Sequence, residues 1–306
     1  MKYANLHLHS IYSDGIHTPR ALCEMAAQLG YKAISLTDHE TTAGTDVMRA
    51  AAAEFGLDFI NGIECCVTHK DINSYHMVGL GFDPDHPRMR AYTDRCAKVA
   101  AESTRLHAEE LAANRAFGDI SWEEVTARFP EVEWYCNEHV FKVLQAKHNI
   151  PDTDYWKYSA IYNGSPIGKV FSLVDAAEMI DIIRDAGGIA IIAHPTVEQL
   201  RYLPELASLG LGGVETDHPS MTADAVREAT RLAAELGLCP SGGSDHYGIL
   251  GNSTKRGPNP RRIYPNTPEH LPTSNGATRE EYEEIRKKGS VRGTQGGPSF
   301  KKEGPP

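Results

Sequence analysis

The segment YANLHLHSIYSDG, residues 3–15, decides how the rest of the chain is read. Its first half is a short apolar run of strand type. Side chains two apart in a strand share a face, so His7 and His9 project together from its end as a chelating pair. A chance His-x-His is common, and the weight comes from recurrence. Six more short apolar segments follow at 33–38, 59–67, 75–82, 189–194, 213–216 and 238–245, and nearly all carry a metal-competent side chain near an end. Asp14 follows the first segment, Asp38 and His39 close the second, Glu64 lies in the third, His76 begins the fourth, His194 closes the fifth and Asp245 the last.

Between these segments, residues 19–29, 43–55, 173–186, 197–209 and 223–236 carry apolar residues at helical spacing, and each run stops at a glycine. Such alternation predicts a parallel α/β fold. If the sheet closes into a barrel, the carboxyl ends of its strands share one face, where catalytic residues gather. Residues 84–170 break the rhythm with helical patterns at 93–115, 121–128 and 138–148, and predict a mostly helical insertion that covers the mouth as a lid. From residue 251 onward, 8 Pro and 8 Gly in 56 residues leave one helical stretch, 279–288, in an otherwise irregular tail. The expected organisation is a barrel from 1–83 and 171–250, an insertion at 84–170 and a tail at 251–306.

The chain has 306 residues and a formal charge of −10. Residues 1–250 hold 20 Lys/Arg against 35 Asp/Glu, which argues against a nucleic acid polymer as partner, since phosphate contacts need clustered cations. No apolar run is long enough to cross a bilayer, and the first residues lack the apolar core of a secretory signal, so a cytoplasmic protein is expected. Six cysteines without CxxC spacing read as reduced thiols.

The ordered set LHLHSIYSDG, ISLTDHE, GIEC, YHMVGLGF, AIIAHP, GGVETDHPS and GGSDHYG resembles the PHP-domain metal-dependent phosphoesterases, which fold as amidohydrolase-like, distorted (β/α)7 barrels. The resemblance covers most of residues 1–250. It implies that His7, His9, Glu64 and Asp245 hold one metal, that Glu64 bridges to a second held by His76 and His194, and that Asp14 and His39 supply a third site. His and carboxylate ligands without thiolates suit Zn²⁺, Mn²⁺ or Fe²⁺. Two or three such ions activate water and clamp phosphoryl oxygens, so phosphate ester hydrolysis is the expected reaction, with Glu64 at its centre. His218, just past the sixth segment, is a candidate acid or phosphate contact.

One motif departs from the family. The third site is usually closed by a His two residues after the final Asp, but GGSDHYG has Tyr247 there and His246 one position earlier. Three outcomes stay open: His246 turns inward, Tyr247 ligates or touches substrate, or the site is weak; His246 is the favoured ligand. For substrate, Lys142 in the insertion is the cation expected near the mouth, because Arg184, Arg201 and Arg227 lie on scaffold helices. The nucleotide-phosphatase branch carries an Arg before the lid-helix His, where this chain has Glu138 before His139. A sugar phosphate, a nucleoside monophosphate or a cyclic phosphate diester is therefore the expected small-molecule substrate. The alternatives are a PHP-type exonuclease acting on single strands, for which Trp122, Trp134, Tyr135, Tyr155, Trp156 and Tyr158 offer stacking surfaces, and a non-catalytic, metal-stabilised binding protein.

Overall fold

Strand β1 (Ala4–Asn5) pairs in parallel with β2 (Ala33–Leu36), and β2 with β3 (Asp58–His69). They belong to a computed structural model that describes residues 2–151, 154–165, 174–246 and 275–290. β4 (Ile72–Leu80) returns antiparallel to β3 through a tight turn in which Lys70 adopts a left-handed φ of 51°, as short hairpin turns require. β6 (Ile189–Ala193), β7 (Gly213–Asp217) and β8 (Cys239–Gly242) complete the order β1-β2-β3-β4-β6-β7-β8, while β5 (Val174–Asp175) pairs with the far end of β3.

The last gap closes where residues 6–9 run beside 242–246. The Leu6 N–H donates to Gly242 O, the Asp245 N–H to His7 O and the His9 N–H to His246 O, at 2.8–3.2 Å. Gly243 permits this approach, since a Cβ there would lie 2.4 Å from the His7 backbone nitrogen. The result is the expected distorted seven-stranded barrel with one correction: β4 runs against its neighbours. That reversal explains why His76, midway along β4, reaches the carboxyl face, where it pairs with Ala193 at the end of β6. The amino half of an antiparallel strand lies at the carboxyl ends of the others.

Helices α1 (Pro19–Gln28), α2 (Thr45–Glu54), α7 (Ala176–Asp185), α8 (Leu203–Ser208) and α9 (Ala223–Leu236) coat the barrel. The helix expected over 197–209 is instead a 3₁₀ turn (Gln199–Tyr202) followed by α8. Pro204 lacks an N–H and fits only the first turn of a helix, so α8 begins there. Ile189, Ile191, Val78, Leu80, Ala4 and Leu6 pack inside the barrel. α10 (Arg279–Ser290) joins this core with Tyr282 and Ile285, both almost fully buried, so the described part of the tail is structural.

The insertion contains α3 (Pro87–Asn114), α4 (Trp122–Arg128), α5 (Asn137–His148) and α6 (Tyr155–Gly164), the last not expected from the sequence. It has its own core of Leu111, Val125, Val140, Phe141, Leu144 and Tyr158. Trp122, Tyr135 and Tyr155 pack against or within that core, and are therefore not free stacking surfaces. Trp134 behaves differently: its half-buried ring lies 5.3 Å from the ring of His39.

Candidate metal centre

Glu64 reaches the carboxyl face from the middle of β3 and is 1% exposed. Its two oxygens serve different histidines. Oε2 lies 3.1 Å from both His7 Nε2 and His9 Nε2 and 3.4 Å from His39 Nδ1, whereas Oε1 lies 2.8 Å from His76 Nδ1 and 3.2 Å from His194 Nε2. Asp245 Oδ1 adds contacts of 3.6 Å to His7 and 3.1 Å to His9. His194 and Asp245, one and three residues past the ends of β6 and β8, take left-handed φ values of 30° and 49°, a costly conformation for non-glycine residues that clusters at functional sites.

Among the described residues five overlapping sets have ligand atoms within 4.8 Å of one another: His7, His9, Glu64 and Asp245; Glu64, His76 and His194; His9, Asp14 and His39; and two that include His218, with His7 and Glu215 and with His194 and Asp245. Separations of 3.1–3.6 Å within the first set are those of ligand atoms around an ion bonded at about 2.0–2.2 Å. Burial opposes charge on His7, but Glu64, Glu215 and Asp245 outweigh it and push its pKa up to about 10. Burial would also raise Glu64 and Asp245, but the histidines around them hold both carboxyls well below the usual range. The donor set fits divalent metal binding.

Glu215 is a member that sequence reasoning missed. Its Oε1 lies 2.9 Å from His7 Nδ1, and its Oε2 accepts the His194 backbone N–H at 2.6 Å. A carboxylate behind a ligating histidine fixes the ring and its tautomer. The signal was present in GGVETDHPS as a glutamate inside an apolar strand, where a buried charge needs a partner. His218 also comes closer than expected: its Nε2 lies 3.3 Å from Asp245 Oδ2, and it groups with His194 and Asp245. The Ser220 N–H and hydroxyl lie 3.2 and 2.9 Å from His218 Nδ1 and hold the ring with Nε2 facing the cluster.

Two expected residues lie elsewhere. His246 belongs to none of the metal-competent sets; it is fully buried with its ring stacked 5.2 Å from that of His17. The reason is local: the backbone of residue 246 forms a bridge to Leu8, and after Asp245 points into the cluster the next side chain is directed away. Lys142 does not join the cluster either; its Nζ donates to the backbone carbonyl of Asp14 at 3.3 Å. Tyr247 lies outside the described residues. Asp38 acts as a brace, accepting from the Ser10 N–H, the Ser10 hydroxyl and the Ser13 hydroxyl at 2.6–2.7 Å.

A profile for the PHP domain matches residues 5–144. The chain is 30% identical to the phosphoribosyl 1,2-cyclic phosphate 1,2-diphosphodiesterase of Eggerthella lenta, over 81% of this chain and 95% of that one. The chain belongs to the PHP family. It is also 29% identical to a 5'-3' exoribonuclease of Haemophilus influenzae over 80% of this chain and 90% of that protein. Among solved structures, a candidate metal-dependent phosphoesterase from Bifidobacterium adolescentis superposes with a TM-score of 0.75 at 25% identity, covering 94% of this chain and 96% of that one. The PHP chain is thus a metal-dependent phosphoesterase, with its His/Glu/Asp cluster at the carboxyl face of a PHP barrel. Among its described residues no helix is long and apolar enough to cross a membrane.

Proposed function

We propose that the protein hydrolyses a phosphate ester of a small hydroxylated molecule: a sugar phosphate, a nucleoside monophosphate or a cyclic phosphate diester. The observation that carries this is the open flank of the cluster. Asp14 and His39 are each 17% exposed, whereas His76 is 31% exposed and, with His194, borders a cavity of about 530 Å³. Ser74, Thr196, Gln199, Ser220 and Thr222 line that cavity, and none of its described lining residues is Lys or Arg. Hydroxyl and amide groups suit a polyol, while a nucleic acid strand would call for cations along its phosphates. The cyclic phosphoribosyl substrate of the Eggerthella relative has this chemistry.

His7, His9, Glu64 and Asp245 would hold one divalent ion, Glu64, His76 and His194 a second, and His9, Asp14 and His39 a third. When bound, Mn²⁺, Zn²⁺ or Fe²⁺ supplies Lewis acidity toward the phosphoryl oxygens and makes water a competent nucleophile near neutral pH. Glu64 presents one oxygen to each side of the cluster. Glu215 keeps the proton of His7 on Nδ1, so that its Nε2 lone pair faces inward. His218 holds Nε2 3.3 Å from Asp245 Oδ2 and, as the imidazolium, is placed to give a proton to the leaving alkoxide and become the neutral imidazole. Tyr247 and Lys142 remain substrate contacts to be tested by substitution.

The exoribonuclease relative supports a second reading, in which the same cluster cleaves terminal phosphodiesters of RNA. Release of phosphate from a library of sugar phosphates, nucleotides and cyclic diesters with Mn²⁺, run beside degradation of single-stranded RNA, separates the two. Small esters should turn over and RNA should persist. Processive loss of RNA with inert small esters would overturn the proposal, and inactivity toward p-nitrophenyl phosphate and its bis-ester as well would point to a binding protein.

A further inference from the structure

Asp14, the carboxylate of the outermost set, does not hang from a strand. It sits on the loop after β1, 3.5 Å from His9 Nδ1 and 3.9 Å from His39 Nε2, and neither separation is a short ion pair. The position of its carboxylate therefore depends on the loop backbone. On the barrel side Asp38 grips Ser10 and Ser13, and the Ser13 and Gly15 N–H groups donate back to Ser10 O at 3.1 and 2.9 Å. Gly15 allows the reversal, because a Cβ there would meet His9 O at 2.6 Å.

On the other side the loop meets the insertion. His139 and Lys142 stand three residues apart on α5, which places them on one helix face. They take successive carbonyls: His139 Nε2 donates to Ser13 O at 2.7 Å, and Lys142 Nζ to Asp14 O at 3.3 Å. The His139 tautomer is fixed from behind, since the Cys136 N–H donates to its Nδ1 at 3.0 Å, leaving the proton on Nε2 for Ser13. Glu138, where the nucleotide-phosphatase branch has Arg, turns away from this face and accepts the Tyr155 hydroxyl.

We propose that α5 is a clamp on the third metal site: His139 and Lys142 are positioning residues that hold Asp14 where it can ligate, so that docking of the insertion sets the affinity of the outermost ion. This rests on the reading that His9, Asp14 and His39 hold an ion. It assigns the insertion a role in metal occupancy in addition to any role in covering substrate. In the two inner sets Glu64 and His76 lie within β3 and β4, and the backbones of His7, Asp245 and His194 are tied to the barrel by hydrogen bonds, so these sets serve as an internal reference.

The test is metal stoichiometry and affinity on the full chain, by Mn²⁺ titration of chelator-stripped protein followed by electron paramagnetic resonance, with amide exchange of residues 10–17 as a second readout. Asp14→Ala establishes which binding step is the third. His139→Ala and Lys142→Met should each weaken that step by about tenfold or more, the range for residues that orient a ligand. They should leave the inner ions in place and speed exchange across 10–17. His139→Gln retains a donor at the reach of Nε2 and should recover most of the affinity, a rescue that general damage to the fold would not show. Unchanged third-ion affinity in both His139→Ala and Lys142→Met would overturn the clamp while leaving the metal site intact, as would equal loss of all ions. If Asp14→Ala removes no ion, the third site itself is refuted and the clamp with it; loss of the inner ions in Glu64→Ala remains an independent check on the rest of the cluster.

Discussion

Glu64 lies within β3, and His7, His194 and Asp245 lie one to three residues past the ends of β1, β6 and β8 on backbone tied to the barrel, whereas Asp14 hangs from a loop held between barrel and insertion. The first group is crowded with carboxylates and imidazoles at 2.8–3.6 Å and is supported from behind by Glu215. The second has wider gaps, 3.5 and 3.9 Å, and its support comes from backbone carbonyls gripped by side chains of another unit. A strand fixes a ligand through its ladder, and every neighbouring strand shares the constraint. A loop fixes one only as well as its clamps do. Inner ions should therefore be retained through changes that strip the outer one.

The largest effect expected from breaking this contrast is at Glu64, shared by both inner sets. Glu64→Ala should abolish turnover and lower the metal content measured by elemental analysis; a variant that keeps both would refute the cluster. Next comes His218, where His218→Asn should lower kcat by about 10²–10⁴ on alkyl phosphates, the range for general acids. It should do much less with p-nitrophenyl phosphate, whose leaving group needs no proton. Equal losses on both would instead make His218 a ligand. Glu215→Ala removes the carboxylate behind His7 and should weaken inner-ion binding by about 10–100-fold, as for other groups that orient ligands.

Smaller effects sharpen the outer half. His246→Ala should leave metal content unchanged and cost about 2 kcal/mol of stability in denaturant unfolding, the usual order for truncating a fully buried side chain. Loss of one ion instead would return His246 to the third site. Acid should act most gently. Burial pushes the His139 pKa down to about 4, so its neutral form contributes stability that is present above the unfolded value of about 6.5 and is lost as pH falls toward 4. Exchange of residues 10–17 in metal-free protein should rise across that window, and His139→Gln should remove this component of the rise.

Much of the barrel and the inner cluster was legible because both are written at short range. Apolar runs with period two, glycines after helices, and ligands two apart in a strand are local patterns, and His7, His9, Glu64, His76, His194 and Asp245 stand where they predict convergence. The direction of β4 was not legible in this way, because strand polarity depends on the turn at Lys70 and on pairing with β6, more than a hundred residues away. Glu215 was visible as a charge in a buried strand, but its partner His7 is 208 residues distant.

The sequence by itself determined the family, the barrel and which inner histidines and carboxylates converge, because these follow from residue type and spacing along single elements. Only the tertiary structure decided the rest. It turned His246 onto His17 because closing the barrel required the backbone of 246 to bridge Leu8. It drew Lys142 to the Asp14 carbonyl and made His139 its companion, because three residues of helical spacing met two successive carbonyls of a loop 126 and 128 residues earlier. Which way a side chain points after a strand ends, and which carbonyl a donor meets, are set by contacts between distant segments, and no spacing along one segment encodes them.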